Sequence, residues 1–396
     1  MTLSVTWGPA NSRRLARQWL ADEPAKGSSP SELAEVVSAM LGAHAQVLSA
    51  AELSVGMRVA DGTRQSVRDA LWEAGALVKT YGPRGTVHLL PASELPFWCG
   101  ALSALPAGRQ QHSDGVRLSP GQTEDVVAAI GEALQGVCLT ADELTEEVVA
   151  RTGPWAGELT MPAFQGFWPR WRTVTHLAAH RGVLCFGPDR GRKATYTRPG
   201  GAGGVVPLPA DEAVAALVRR YLYAYGPATP ASFAKWLAAP VGWASQAFAA
   251  LGDGIERVDF DGVEAWVVAG DVEFPDTPGA PGAPGVLARG VRLLPYFDAF
   301  GIAGYPRERL FAGPAYTRAL ARGQAGNSPV VLVDGEVGGV WHLKRAGRRC
   351  VVTVEALGRL SAAQVRELEG QVARVGEVVE ARGELVLGPV TVGAHA

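Results

Sequence analysis

The sequence predicts an α+β protein: tandem helical units, each closed by a β-hairpin and arranged as a C-shaped arc, followed by a C-terminal β-rich domain. Three observations predict it. Helical periodicity leading into a strand–turn–strand pattern recurs three times along the first part of the chain. A Pro/Gly-rich stretch at 274–289 then interrupts regular structure, and beyond it apolar runs of strand length dominate. With 396 residues, 47% of them hydrophobic, the chain has ample material for several cores.

The first unit, 1–118, carries amphipathic segments near 9–21, 30–42 and 64–75, then two β-rich runs around Gly82-Pro83-Arg84-Gly85. In the second, 119–205, Thr140 is the expected N-cap of a helix reaching Ala150. A longer helix is expected over roughly 162–181, ending at Gly182, before two strands joined by Asp189-Arg190-Gly191-Arg192-Lys193. The third unit, 206–273, is helical from Ala213 to Tyr225, breaks at Gly226-Pro227, and resumes over 231–237 and 241–251. Its strands, Ile255 to Phe260 and Val263 to Val268, meet at Asp261-Gly262, a dipeptide suited to a two-residue hairpin turn. Helix, helix, helix, hairpin is the winged-helix plan, in which the third helix can enter a DNA groove and the wing touches the backbone. Past the linker, 290–396 reads as strands at 291–297, 329–334, 338–344, 350–354 and 384–387, with one helix near 361–381.

Composition removes several function classes. No long uninterrupted apolar run suggests a membrane span, and Asn11, Arg13 and Arg14 stand where a signal peptide would be apolar, so a cytoplasmic protein is expected. Cys99, Cys138, Cys185 and Cys350 are far apart and show no zinc or disulfide spacing. The net charge of -2 argues against bulk electrostatic coating of nucleic acid, although local arginine patches remain informative. Gly200 to Gly204 lacks the context of a phosphate loop, so no nucleotide cofactor is expected. His176 and His180 are four apart, but position 177 is Leu where a zincin needs Glu, so no metal site is expected either. No nucleophile elbow or two-metal carboxylate cluster is evident.

Two patterns remain. His44 and Gln46 place hydrogen-bonding side chains inside the apolar run Met40 to Leu53. Residues i and i+2 lie roughly 200° apart on a helix but share a face in an extended segment, so a cooperating pair requires a non-helical chain here; a satisfied core histidine is the bland alternative. Basic residues also cluster at two expected hairpin tips: Arg190, Arg192 and Lys193, and Arg345, Arg348 and Arg349. Such tips either reach phosphates and the minor groove or are simply solvated. Arg170, Arg172 and Arg181, with Trp168 and Trp171, would suit a recognition helix or aromatic packing against a wing.

Four ordered segments carry a wider resemblance: Leu41-Gly-Ala-His-Ala-Gln46 with Ala51 to Leu53 and Arg58; Arg84 to Leu90; Tyr225 to Pro230 with Phe233 and Trp236; and Leu293 to Asp298 with Gly304-Tyr305 and Arg307. Their order and spacing resemble the AlkZ/YcaQ group of winged-helix DNA glycosylases. The resemblance implies that His44 and Gln46 match the family's catalytic Gln-x-Gln or Gln-x-Asp positions, the histidine being a departure similar to the antibiotic self-resistance branch. It further implies a monofunctional glycosylase hydrolysing N7-alkylguanine, often bulky, in double-stranded DNA containing alkylated purines. No lyase step is expected, because no amine lies near the motif. Arg84 and His88 become candidate DNA contacts beside the motif, and the 345–349 tip a candidate probe of DNA near the lesion. A monomer with no cofactor is expected; the alternative is a non-catalytic winged-helix DNA-binding protein.

Overall fold

Helix starts in this chain are written by short hydroxyl side chains, and these set the frame of each unit. In the computed structural model, which describes residues 2–21, 27–106, 113, 115–163, 166–275 and 289–392, the hydroxyls of Ser29, Thr63, Ser119, Thr140, Thr229 and Ser361 each accept a backbone N–H at a helix N-terminus. Pro follows directly at Pro30, Pro120 and Pro230, where its missing N–H costs nothing.

The chain opens with β1 (Leu3–Val5) and α1 (Trp7–Arg17), then α2 (Pro30–Ala39), β2 (Ala43–His44), α3 (Leu48–Gly56) and α4 (Arg64–Arg68), which runs into a π-helical turn over Asp69–Glu73. β3 (Leu77–Tyr81) and β4 (Val87–Pro91) form the first hairpin, and β2 joins it to give an antiparallel sheet ordered β2-β4-β3. Leu33, Val37, Met40, Val55, Leu71 and Leu89 fill the core between these helices and that sheet.

After α5 (Leu95–Ser103), the second unit comprises α6 (Pro120–Ala133), β5 (Leu139–Thr140), α7 (Ala141–Thr152), β6 (Leu159–Ala163), β7 (Gly166–Pro169), α8 (Thr175–His180), β8 (Cys185–Arg190) and β9 (Lys193–Thr197). The long helix expected over 162–181 does not exist. β6 pairs antiparallel with β7, a 3₁₀ segment covers Arg170–Val174, and only Thr175–His180 is α-helical. The reason lies in the sequence: Pro162 and Pro169 remove helical N–H donors and clash with the preceding turn, and Gly166 adopts φ +102°. The Arg170, Arg172 and Trp171 cluster is therefore not a recognition helix; Trp171 is buried and Trp168 lies beneath the Arg172 guanidinium at 4.0 Å.

The third unit holds α9 (Ala210–Tyr225), α10 (Pro230–Leu237), α11 (Val241–Ala249), β10 (Ile255–Phe260) and β11 (Val263–Val268). Asp261 and Gly262 both have positive φ, +50° and +83°, as the two-residue turn requires. An unanticipated pairing completes this sheet: β1 lies parallel to β10, Leu3 opposite Val258. Val5, Trp7, Ala10 and Leu15 consequently pack with Phe260, Phe300 and Leu332 rather than with α2.

Most of the expected linker, 276–288, lies outside the described residues. The C-terminal part contains β12 (Val291–Leu294), three short helices, α12 (Ala299–Ala303), α13 (Arg307–Leu310) and α14 (Pro314–Ala319), then β13 (Val330–Val333), β14 (Glu336–Ala346), β15 (Arg349–Ala356), α15 (Ala362–Val378) and β16 (Arg382–Leu387). The five strands run in the order β12-β13-β14-β15-β16, and Leu368, Val372, Val375 and Val378 of α15 cover one face. The short helices had no strong periodic signal to find. Among the described residues no helix is long and apolar enough to cross a membrane.

Candidate active site

The motif sits where the backbone leaves α2 and bends. Leu41 and Gly42 take φ +56° and +93°, and a Cβ at Gly42 would lie 2.8 Å from the Leu90 side chain, so only glycine fits there. From behind, the buried Tyr225 hydroxyl donates to the Met40 carbonyl at 2.7 Å. Ala43 and His44 then form β2 against β4, with His44 opposite His88, and the Ala45 N–H donates to the Val87 carbonyl at 2.7 Å. The segment is extended through His44 and non-helical to Val47, the geometry that a cooperating i, i+2 pair needs.

The two motif side chains differ sharply in environment. His44 is only 8% exposed, whereas Gln46 is exposed, its Oε1 accepting the Val87 N–H at 3.4 Å. The His44 ring stacks on Phe297 at 4.4 Å between centroids and meets the His88 ring edge-on at 5.2 Å. Its Nδ1 is enclosed and has no hydrogen-bond partner among the described residues. Burial, aided by the nearby positive charge of Arg84, pushes the His44 pKa down to about 4, so the ring is neutral at neutral pH.

His88 is fully enclosed, and burial again holds it well below the usual histidine range. Its Nδ1–H donates to the Thr86 carbonyl at 2.9 Å, which fixes the tautomer. Arg84 adopts φ +62° at the first hairpin turn and donates to the Trp236 carbonyl of α10 at 2.9 Å. Burial lowers its pKa to about 10, and it stays charged at neutral pH. The fold thus gathers His44, Gln46, Arg84 and His88 at one place.

The basic tips belong to two other hairpins, β8–β9 and β14–β15. Arg190 is paired with Glu143 at 2.7 Å and Lys193 with Asp142 at 2.7 Å, both on the first turn of α7, and Arg192 is exposed at the turn between them. At the other tip Arg345, Arg348 and Arg349 are exposed on the β14–β15 turn, Arg349 bridging to Glu384 at 2.6 Å. Among the described residues no group of three or more His, Cys, Asp and Glu side chains is placed to hold a metal ion.

Sequence reading missed the contact of His44 with Phe297. Phe297 comes from the C-terminal part, and its position is set by its neighbour Asp298, whose carboxylate accepts from Arg58 and from the Ser54 hydroxyl at 2.5 Å. Arg58 and the segment Leu293 to Asp298 both stood in the ordered pieces noted in the sequence, yet nothing in their local pattern showed that they meet.

A family model described as DNA glycosylase AlkZ-like matches residues 37–378. Over 349 residues, 86% of this chain and 89% of the relative, the chain is 32% identical to a protein of Streptomyces sahachiroi described as an interstrand DNA cross-link repair glycosylase. The solved structure of the Streptomyces sahachiroi DNA glycosylase AlkZ is similar with a TM-score of 0.76 and 29% identity, spanning 98% of this chain and 100% of that one.

Proposed function

The chain belongs to the AlkZ-like DNA glycosylase family, and we propose that it hydrolyses the N-glycosidic bond of N7-alkylguanine in duplex DNA, with His44 and Gln46 as the catalytic residues. The observation that carries this reading is the contrast within the motif: a buried, neutral imidazole with an unpaired nitrogen, two residues from an exposed carboxamide.

Alkylation at N7 makes the purine cationic and a good leaving group, so no strong general acid is required. What remains is to deliver water to C1′ without opposing the positive charge that develops on the sugar. A neutral His44 meets the second condition, because an imidazolium at that position would repel the developing cation. With its pKa near 4 the ring is a weak proton acceptor, which favours orienting the attacking water over abstracting its proton early. The exposed Gln46 amide has donor and acceptor atoms to share that water or to face the sugar. No lysine amine belongs to this cluster, which supports hydrolysis without a Schiff base.

A relative described as an interstrand DNA cross-link repair glycosylase supports a bulky or bifunctional adduct as the lesion. Three tandem helix–hairpin units forming a C-shaped channel would hold such a duplex without forcing the adduct into a closed pocket. The 345–349 tip would reach DNA near the lesion, and Arg190, Arg192 and Lys193 would contact backbone further along.

The test uses duplex DNA carrying a single N7-alkylguanine, incubated with the wild type and with His44→Ala/Gln46→Ala, then cleaved with alkali at abasic sites. Strand scission by the wild type alone supports the reading. Equal scission by both proteins removes the motif from the mechanism, and none with several adducts leaves a DNA-binding protein.

A further inference from the structure

The β6–β7 hairpin, which stands where a long helix was expected, carries apolar side chains that the fold leaves uncovered. Phe167 is 59% exposed and Trp168 40%, and among the described residues no other Phe or Trp is exposed. Leu159, 65% exposed, and Pro162, also exposed, stand on the facing strand. The register sorts them by face: Pro162 lies opposite Phe167, and Met161 opposite Trp168. Directly opposed residues share a face and successive ones alternate, so Pro162 and Phe167 form one apolar pair pointing away from Trp168. Among the described residues these two strands pair with no third strand. A contiguous exposed apolar patch of this kind marks a contact surface.

The base of the hairpin is held firmly. Arg170 bridges to Glu158 at 2.6 Å, and it donates to the Gly115 carbonyl at 2.9 Å and to the Thr160 hydroxyl at 3.4 Å. Arg172 differs: its guanidinium lies over the Trp168 ring at 4.0 Å and has no carboxylate partner among the described residues. The hairpin base is also linked to the motif. Arg172 lies close enough to Tyr81 for its charge to favour the ionised phenol against burial. Tyr81 pairs across β3 and β4 with Val87, whose carbonyl accepts the Ala45 N–H and whose own N–H donates to Gln46. An apolar wedge beside an unneutralised arginine matches duplex DNA, which offers base steps to the one and phosphates to the other. The substrate of a DNA glycosylase brings both alongside the motif.

We infer that the β6–β7 hairpin enters the minor groove of the duplex, with Pro162 and Phe167 against the bases and Arg172, steadied by Trp168, on a flanking phosphate. This rests on the chain's membership of a DNA glycosylase family and not on the choice of lesion or on the roles of His44 and Gln46, so undamaged DNA is the probe. Equilibrium binding of an unmodified duplex is measured over a series of salt concentrations. Phe167→Ala should weaken binding about fivefold or more at every salt concentration, the lower end of what removing a base-stacking ring costs. Its slope of log K against log salt should equal that of the wild type, because an apolar contact displaces no counterion. Phe167→Leu, which keeps an apolar wedge, should bind more tightly than Phe167→Ala. Arg172→Gln should lower the slope by about 0.9, the contribution of one phosphate. A loss below fivefold in Phe167→Ala, a lowered slope in that variant, or an equal loss in Phe167→Leu overturns the wedge. An unchanged slope in Arg172→Gln overturns the phosphate contact.

Discussion

Arg58 and Asp298, 240 positions apart in the chain, form a buried bidentate ion pair, with guanidinium nitrogens 2.8 and 2.9 Å from the two carboxylate oxygens. Arg58 is fully enclosed and Asp298 nearly so. The Arg58 Nε donates to the Gln18 carbonyl at 3.0 Å, and one terminal nitrogen donates to the Ser54 carbonyl at 2.8 Å. This node joins the C-terminal part to the helix that follows the motif, and it sets Phe297 against His44.

Asp298→Ala strands the Arg58 charge in the interior and should cost about 3–5 kcal/mol. Arg58→Met/Asp298→Ala removes both charges and should recover much of that loss, because the penalty comes from the unpaired ion. Urea denaturation of the two single variants and the double variant measures this. A double variant as unstable as the sum of the singles would mean that the pair has no coupling.

Phe297→Ala opens the His44 ring to water. Desolvation is the main cause of its low pKa, so the pKa should climb from about 4 toward 6.5. The excision rate of the wild type should fall only as pH drops toward 4, whereas in Phe297→Ala the same acid limb should appear close to neutrality. An unshifted pH profile with a uniformly lower rate would show that Phe297 serves packing alone.

Acid should destabilise the fold in a defined window. His44 and His180 are each pushed down to about 4 by burial, which also holds His88 well below its ordinary value. In the unfolded chain all three titrate near 6.5, so below that pH the unfolded state binds more protons than the folded one. Stability is complete above 6.5 and falls as pH falls through the window toward 4, by up to about 1.4 kcal/mol per pH unit for each histidine. Denaturation midpoints at pH 7.5 and 5.0 test this, and His180→Gln should flatten the slope. Equal midpoints at the two pH values would contradict the burial of these rings.

The two basic tips should differ in DNA affinity. Arg190 and Lys193 already have carboxylate partners on α7, whereas Arg345 and Arg348 extend from the exposed β14–β15 turn. Each phosphate contact contributes about 0.9 to the slope of log K against log salt. Arg345→Ala/Arg348→Ala should lower that slope by up to about 2, and Arg190→Ala/Lys193→Ala by less. The reverse order in a salt titration of duplex binding would place the DNA along the second unit instead.

Much of the architecture was legible because it is written locally. The capping hydroxyl of Thr140 marks a helix start, Asp261-Gly262 marks a turn, and apolar runs of strand length mark the C-terminal sheet, whereas the helix Pro120–Ala133, capped by Ser119, was not expected. The hairpin at 159–169 was missed although Pro162, Gly166 and Pro169 announce it, since aromatic and basic residues at helical spacing outweighed them. The chain by itself determined that His44 and Gln46 are anomalous in an apolar run and that, to cooperate, they need a non-helical segment. Only the tertiary structure decided that one is buried and neutral while the other is exposed. Desolvation depends on which distant segments close over a side chain, and the Phe297 ring over His44, held by Asp298 and Arg58, leaves no mark on the sequence near the motif.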